Sequence, residues 1–391
     1  MKIVVAHNQY QQAGGEDQVF GAEAALLERR GHRVFRYMVH NDDVVELGKL
    51  ALARATIWNP VSHNELLRLF ARERPDVVHL HNTLPLISPA AYYAAKAAGV
   101  AVVQTLHNYR LSCVNGLLFR DGQVCEDCLG KFVPWAGVAR GCYRDSRAAS
   151  GAVAAMLAFH KLRRTYHNMV DAYIALTQFS RGKFLEAGFP AEKIVVKPNF
   201  VDPDPGVGRG RGGYALFVGR LSREKGLDTL LSAWARLSGR EPLKIVGDGP
   251  LAATVRQAAA HWSGIEWLGH KSPREVYELM GGAGFLIFPS SWYETFGRVA
   301  VEAFAKGTPV VAANTGAVAE LVEHGRTGLH FEPGNADDLA AKVEWGLSHP
   351  AELSRMRSEA RVEYESKYTS ERNYYQLIKI YERAKALAGI A

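Results

Sequence analysis

Glu294 and Glu302 stand eight residues apart in ETFGRVAVE, with Phe296, Gly297, Arg298 and Val299 between them. The segment follows the apolar run FLIFPS and precedes residues at helical spacing, so a helix is expected to begin near Phe296. Amides at a helix start are unpaired and partly positive, which suits phosphate oxygens. Gly297 lets a ligand approach the backbone. Carboxylates beside a phosphate are repelled by it, so hydroxyls are their natural partners: those of a sugar for Glu294 and a diol such as ribose for Glu302. A pair of cations, Arg220 and Lys225, closes the apolar run ALFVGR five residues apart, and such a pair suits a diphosphate.

Other candidates also fall where apolar runs end. Gly14 and Gly15 in NQYQQAGGEDQVF make a loop that approaches phosphate or sugar; it is not a G-x-G-x-x-G turn, and a lone Gly-Gly is more often a plain turn. Gly247 and Asp248 in VGDGP, Gly269 and His270 in LGHKS, and His107 in TLHNYR complete the set.

The elements that must position these residues alternate along the chain. Strands are expected at 2–7, 32–39, 76–82, 100–108, 172–177 and 193–199, and again at 215–220, 243–249, 265–270, 285–290, 309–314 and 328–334. Between them lie helical patterns such as 16–31, where Val19, Phe20, Leu26 and Leu27 share a face and Gly31 is placed as a stop. Continuous apolar strands alternating with helices predict parallel sheets covered on both faces. The fold class is therefore α/β, with two Rossmann-like doubly wound domains. PDPGVGRGRGG (203–213) reads as the linker. The domains are expected at 1–205 and 206–372, with a closing helix from 373 to 391. In this architecture ligands bind beyond the carboxyl ends of the strands, so the two domains are expected to face each other across a cleft.

At 391 residues, 48% hydrophobic and 22% charged, the composition is that of an ordinary globular protein. No export segment is read at the start, and no stretch approaches the ~18 apolar residues that span a bilayer, so a cytoplasmic location is expected. The net charge of +7 is uneven: residues 1–202 hold 24 Lys and Arg against 18 Asp and Glu. A basic first half attracts anionic membrane, phosphorylated acceptors or nucleic acid. No block of consecutive cations argues for nucleic acid.

All four cysteines, Cys113, Cys125, Cys128 and Cys142, fall within thirty residues of a predicted insertion at 110–145. In a reducing compartment this spacing, with one C-x-x-C, points to structural Zn²⁺, against unbridged thiols or redox chemistry. The following stretch, 150–170, is apolar and turns basic at Lys161, Arg163 and Arg164. It reads equally as a surface for an anionic membrane or as a helix packed on the first domain.

Arg220-x4-Lys225, the Gly247–Pro250 turn, Glu294-x7-Glu302 and TGAVAELVEHGRTG together resemble family 4 glycosyltransferases (the group 1 family) of GT-B fold. The likeness is strong over 214–345 and rests in the first half on the glycine loop, DVVHLHN and TLHNYR. The resemblance implies transfer of a sugar from a nucleotide-diphosphate donor, UDP- or GDP-linked, with retention and without a catalytic metal or cofactor. It implies that Arg220, Lys225 and the amides of Gly297 to Val299 stabilise the leaving diphosphate. Glu294 would read the donor sugar and Glu302 the ribose, with His107 near the reacting face and the last helix crossing back to the first domain. The implied acceptor is lipid-linked or an oligosaccharide, in cell-surface glycan synthesis. The chain departs from the family pattern at His107-Asn108, where many members carry His-Asp, and at Gly316-Ala317, where many carry Gly-Gly. Two alternatives stand beside this reading: a nucleotide-sugar 2-epimerase of the same architecture, and a zinc-knuckle protein binding nucleic acid.

Overall fold

The computed structural model describes residues 1–11, 14–44, 47–238 and 241–390, so Gln12 of the glycine loop lies outside the described residues. The chain forms two compact units. The first comprises 1–118, 125–199 and 371–391, and the second 119–124 and 200–370.

The sheet of the first unit is built from β1 (Lys2–Gln9), β2 (Arg33–His40), β3 (Val77–Asn82) and β4 (Ala101–Thr105), completed by two later strands. A two-residue hairpin, β5 (Phe119–Arg120) and β6 (Gln123–Val124), comes between. The later strands are β7 (Ala172–Ala175) and β8 (Ile194–Val196). The six strands run parallel in the order β2-β1-β3-β4-β7-β8. β3 and β4 are buried along their whole length, as a parallel strand covered on both faces requires. The helix Ser370–Ala388 belongs almost entirely to this unit, where Tyr374 and Tyr381 bond to His32 and His79.

The second unit contains β9 (Ala215–Val218), β10 (Leu243–Val246), β11 (Ile265–Gly269), β12 (Phe285–Phe288), β13 (Val310–Ala313) and β14 (Gly328–Phe331). Their order, β11-β10-β9-β12-β13-β14, is the doubly wound arrangement whose direction reverses between β9 and β12. Leu230, Trp234, Ile245, Phe285, Ile287 and Phe331 lie in its core.

Every predicted strand forms; β1 and β2 run past their expected ends, β3 stops where expected, and the other nine stop short. The residues shed, among them His107, Gly247, Asp248 and Ser290, become the loops beyond the sheets. The segment read as a linker is not slack. The amides of Gly208, Gly210 and Gly212 donate to the carbonyls of Lys306, Gly281 and Gly282, stitching it to the second unit. A Cβ on Gly208 would fall 2.1 Å from Gly281 Cα, so the glycines serve close packing, and the units divide at 199/200. The apolar stretch after the cysteines forms the helix Arg147–Leu162, which buries Val153, Met156, Leu157 and His160 and leaves Phe159 and Leu162 exposed. Among the described residues no helix is long and apolar enough to cross a membrane.

Candidate active site

In an open parallel sheet the crevice for a ligand opens where the strand order reverses. In the second unit the loops after β9 and β12 flank that point, and they carry Arg220 with Lys225 and Glu294 respectively. The loops are fastened to each other. Gly226 (φ +71°) packs so closely that a Cβ would fall 1.8 Å from the Pro289 carbonyl oxygen. The Ser291 amide donates to the Glu224 carbonyl at 3.0 Å. Lys225 Nζ consequently lies 2.6 Å from Glu294 Oε1, and the same oxygen accepts from Ser290 Oγ and the Trp292 indole N–H. Lys225 also sits over the Trp292 ring at 5.3 Å. Arg220, five residues before Lys225 in the loop after β9, is exposed. These loops thus hold a half-buried cation against a buried carboxylate, with the exposed Arg220 earlier in the same loop as Lys225.

The predicted helix begins at Arg298, two residues later than expected, because Gly297 adopts φ +121°, outside helical space. Glu302 lies one turn inside and pairs with Arg298 at 3.0 Å. Burial pushes its carboxyl above the ordinary range, and the Arg298 guanidinium opposes this only partly. Phe296 is buried edge-on to Tyr368, so only its backbone faces the loop region. Gly247 and Gly249 press on the backbone of Gly219 and Leu221, and the Gly247 amide donates to the Gly269 carbonyl. The ends of β9, β10 and β11 are thereby laced together, leaving Asp248 and His270 exposed.

In the first unit the strand order reverses between β1 and β3. Gly14 caps the helix Gly15–Arg29, but Glu16 and Asp17 fill its first turn, and Asp17 accepts the Gly14 amide and His7 Nε2. These acids repel phosphate, so the ligand this loop suits is a neutral hydroxylated one. Asn108 donates to Glu16 at 2.7 Å, the other carboxylate oxygen of which accepts from Tyr10.

His107 lies nearly buried at the end of a polar chain that pattern reading passed over. Its Nε2 is 2.9 Å from His81 Nδ1, with the rings stacked. His81 Nε2 faces Glu23 Oε2 at 3.5 Å, and Glu23 Oε1 holds Lys197 Nζ at 2.5 Å with both side chains buried. A proton on His81 Nε2, toward the carboxylate, makes Nδ1 the acceptor for His107 Nε2–H and so fixes the tautomer of His107. Burial holds His107 below the usual histidine range, with Glu16 and Glu23 opposing and His7 and Lys197 reinforcing. Burial likewise takes His79 down to about 4. Burial alone would raise Glu23, yet Lys197 and then His79 bring its carboxyl below the ordinary range. Among the described residues Glu23, His79 and His81 are the one trio whose ligand atoms lie within 4.8 Å of one another. Lys197 occupies one oxygen of the Glu23 carboxylate and both nitrogens of His79 are taken by Tyr381 and Thr105, while Glu23 Oε2 and His81 Nε2 make no hydrogen bond.

The signal for this chain was present in the sequence. His79 and His81 share one face of a fully buried strand, and Glu23 interrupts the apolar face that Val19, Phe20, Leu26 and Leu27 define.

Two doubly wound units with charged strand-end loops define a nucleotide- or sugar-handling α/β protein of GT-B architecture. The pattern described as "Glycosyltransferase Family 4" matches residues 13–205, and that described as "Glycosyl transferases group 1" matches 208–363. The chain belongs to the group 1 glycosyltransferases, in family 4. It is 35% identical over 171 residues to an uncharacterized glycosyltransferase of Methanocaldococcus jannaschii, covering 43% of this chain and 48% of that one. It is 30% identical over 303 residues to glycogen synthase of Mycobacterium tuberculosis, covering 74% and 64%. The match thus spans 48% and 64% of the length of these relatives. Its fold is similar to that of Anabaena HepE, solved in complex with UDP and with UDP-glucose. The UDP complex has a TM-score of 0.69 and 19% identity, over 97% of this chain and 99% of that one.

Proposed function

We propose that this protein is a retaining glycosyltransferase that moves a hexose from a UDP- or GDP-sugar to a lipid-linked or polysaccharide acceptor in cell-surface glycan synthesis. The observation that carries the reading is the Lys225–Glu294 pair at the reversal point of the second sheet, with Arg220 earlier in the same loop as Lys225. On this reading the sugar–phosphate bond breaks toward the diphosphate, whose growing charge Lys225, Arg220 and the amides of Gly297 to Val299 stabilise. Glu294 holds sugar hydroxyls, and Glu302 holds the ribose. His107 acts beside the donor sugar, with its tautomer fixed by His81. The solved UDP and UDP-glucose complexes of HepE support a uridine nucleotide as the first donor to try.

Phe159 and Leu162 are exposed on the first unit, adjoining Lys161, Arg163 and Arg164 in the chain, and they suit peripheral contact with an anionic membrane at its inner face. The 2-epimerase alternative calls for acid and base carboxylates at the strand ends of the first unit. Glu16 there is engaged by Tyr10 and Asn108, and Asp17 by His7 and Gly14.

The test is incubation of the protein with labelled UDP- and GDP-hexoses and a bacterial membrane-lipid extract. Label should pass to lipid or glycan from one nucleotide class, with the donor's anomeric configuration kept, and Lys225→Ala should slow transfer by about 10²–10³-fold. An inverted product, or epimerised free sugar, would overturn the reading.

A further inference from the structure

The segment between β4 and the helix Arg147–Leu162 holds little regular structure: the two-residue strands β5 and β6 and the short helix Trp135–Ala139. A stretch of this length without its own sheet or long helix needs something else to hold it. The four cysteines stand at its turns, and none is paired in a disulfide. Cys113 and Cys128 are buried, and Cys125 and Cys142 half-buried.

Backbone packing draws these turns together around Gly137. A Cβ there would fall 3.3 Å from Cys128 Sγ and 2.7 Å from the side chain of Val114, the neighbour of Cys113. The Gly137 carbonyl accepts the Cys142 amide at 2.9 Å, and Cys142 packs in one apolar cluster with Val114. The Cys125 amide donates to the Leu118 carbonyl at 2.8 Å. C-x-x-C is followed two residues on by Gly130 (φ +71°), where a Cβ would lie 2.9 Å from the Glu186 carbonyl oxygen, so the turn admits only glycine. Arg140 bonds to Asp127 inside the C-x-x-C turn and ties it to the end of the short helix Trp135–Ala139. The sulfurs are not drawn within the 4.8 Å that groups Glu23 with its histidines, so binding would tighten them.

We propose that Cys113, Cys125, Cys128 and Cys142 bind one zinc ion as a structural site that closes this insertion. Four S–H bonds break, four Zn–S bonds form and four protons pass to solvent. No electron moves, and the completed tetrahedral site carries two net negative charges. The site is independent of glycosyl transfer and stands or falls separately from it.

Elemental analysis of the full chain, purified without added metal or chelator, should find one zinc per chain. Protein stripped of metal under reducing conditions should take up zinc from a chromophoric indicator in the same ratio. With Co²⁺ it should give thiolate charge-transfer bands and tetrahedral d–d bands. Both signals should disappear in Cys125→Ser/Cys128→Ser. If that variant fails to fold, the Co²⁺ spectrum of the unaltered chain decides alone. Four thiols that react freely with a disulfide reagent while the stripped protein ignores Zn²⁺ and Co²⁺ would overturn the proposal. So would a disulfide found by mass spectrometry, or an iron–sulfur chromophore.

Discussion

Replacing Lys197 with Met removes the ammonium that Glu23 faces at 2.5 Å and leaves a carboxylate sealed in the first unit beside His79 and His81. Both partners are about 1% exposed, so solvent does not screen the loss. Breaking a buried pair on one side costs about 3–5 kcal/mol, because the remaining charge keeps its desolvation penalty without its partner. Removing both charges in Glu23→Leu/Lys197→Met should restore much of that, since no isolated charge remains. The two units need not unfold together, so the readout is hydrogen exchange of β3 and β4 amides rather than a single melting curve. The pH dependence gives a second check. In the native chain Glu23 is held below its unfolded value, so its contribution is present above that value and lost as pH falls through the folded one. In Lys197→Met burial is opposed only by His79 and His107 and the carboxyl rises, so the deficit should be largest near neutrality and shrink on acidification. A single variant that costs under about 1 kcal/mol, or a double variant worse than the single, would refute the idea that this ion pair stabilises the first unit.

Three further outcomes are expected. His79 titrates at about 4 in the folded chain against an ordinary value of ~6.5, so the first unit should lose about 3 kcal/mol as pH falls between those values, and His79→Gln should flatten that slope in the exchange experiment. Gly226→Ala forces a Cβ against the Pro289 carbonyl at positive φ; it should displace Lys225 from Glu294 and weaken nucleotide binding at least tenfold while the circular dichroism stays native. Burial already raises Glu302, so nucleotide affinity should fall as pH drops through its folded value. In Arg298→Ala that fall should begin at higher pH, as a calorimetric pH series would show.

The sheets were legible because parallel strands buried on both faces leave continuous apolar runs, and every run became a strand. The phosphate and sugar candidates of the second unit were legible for a related reason. Charged residues at the ends of such runs have nowhere to go but the loops beyond the sheet, and Lys225 and Glu294 meet there. The helix start was placed two residues early because spacing alone does not show that Gly297 leaves helical space. The glycine-rich segment 203–213 was misread because glycine marks both slack chain and close packing, and only the partner backbones of Gly281 and Gly282 distinguish them. The chain from Lys197 to His107 went unread although its members break apolar patterns at four places. They lie up to 174 residues apart in sequence, and charge balance over that separation appears only once the helix and strands are packed.

The central claim is that the loops after β9 and β12, with the helix that follows, form a nucleotide-sugar donor site. It is tested most directly by calorimetric titration of the purified chain with UDP and with GDP, beside Glu302→Ala. The account predicts micromolar binding of one nucleotide, lost in the variant while its circular dichroism stays native. Folded protein that binds neither nucleotide, or a variant that binds as well as the parent, would contradict it.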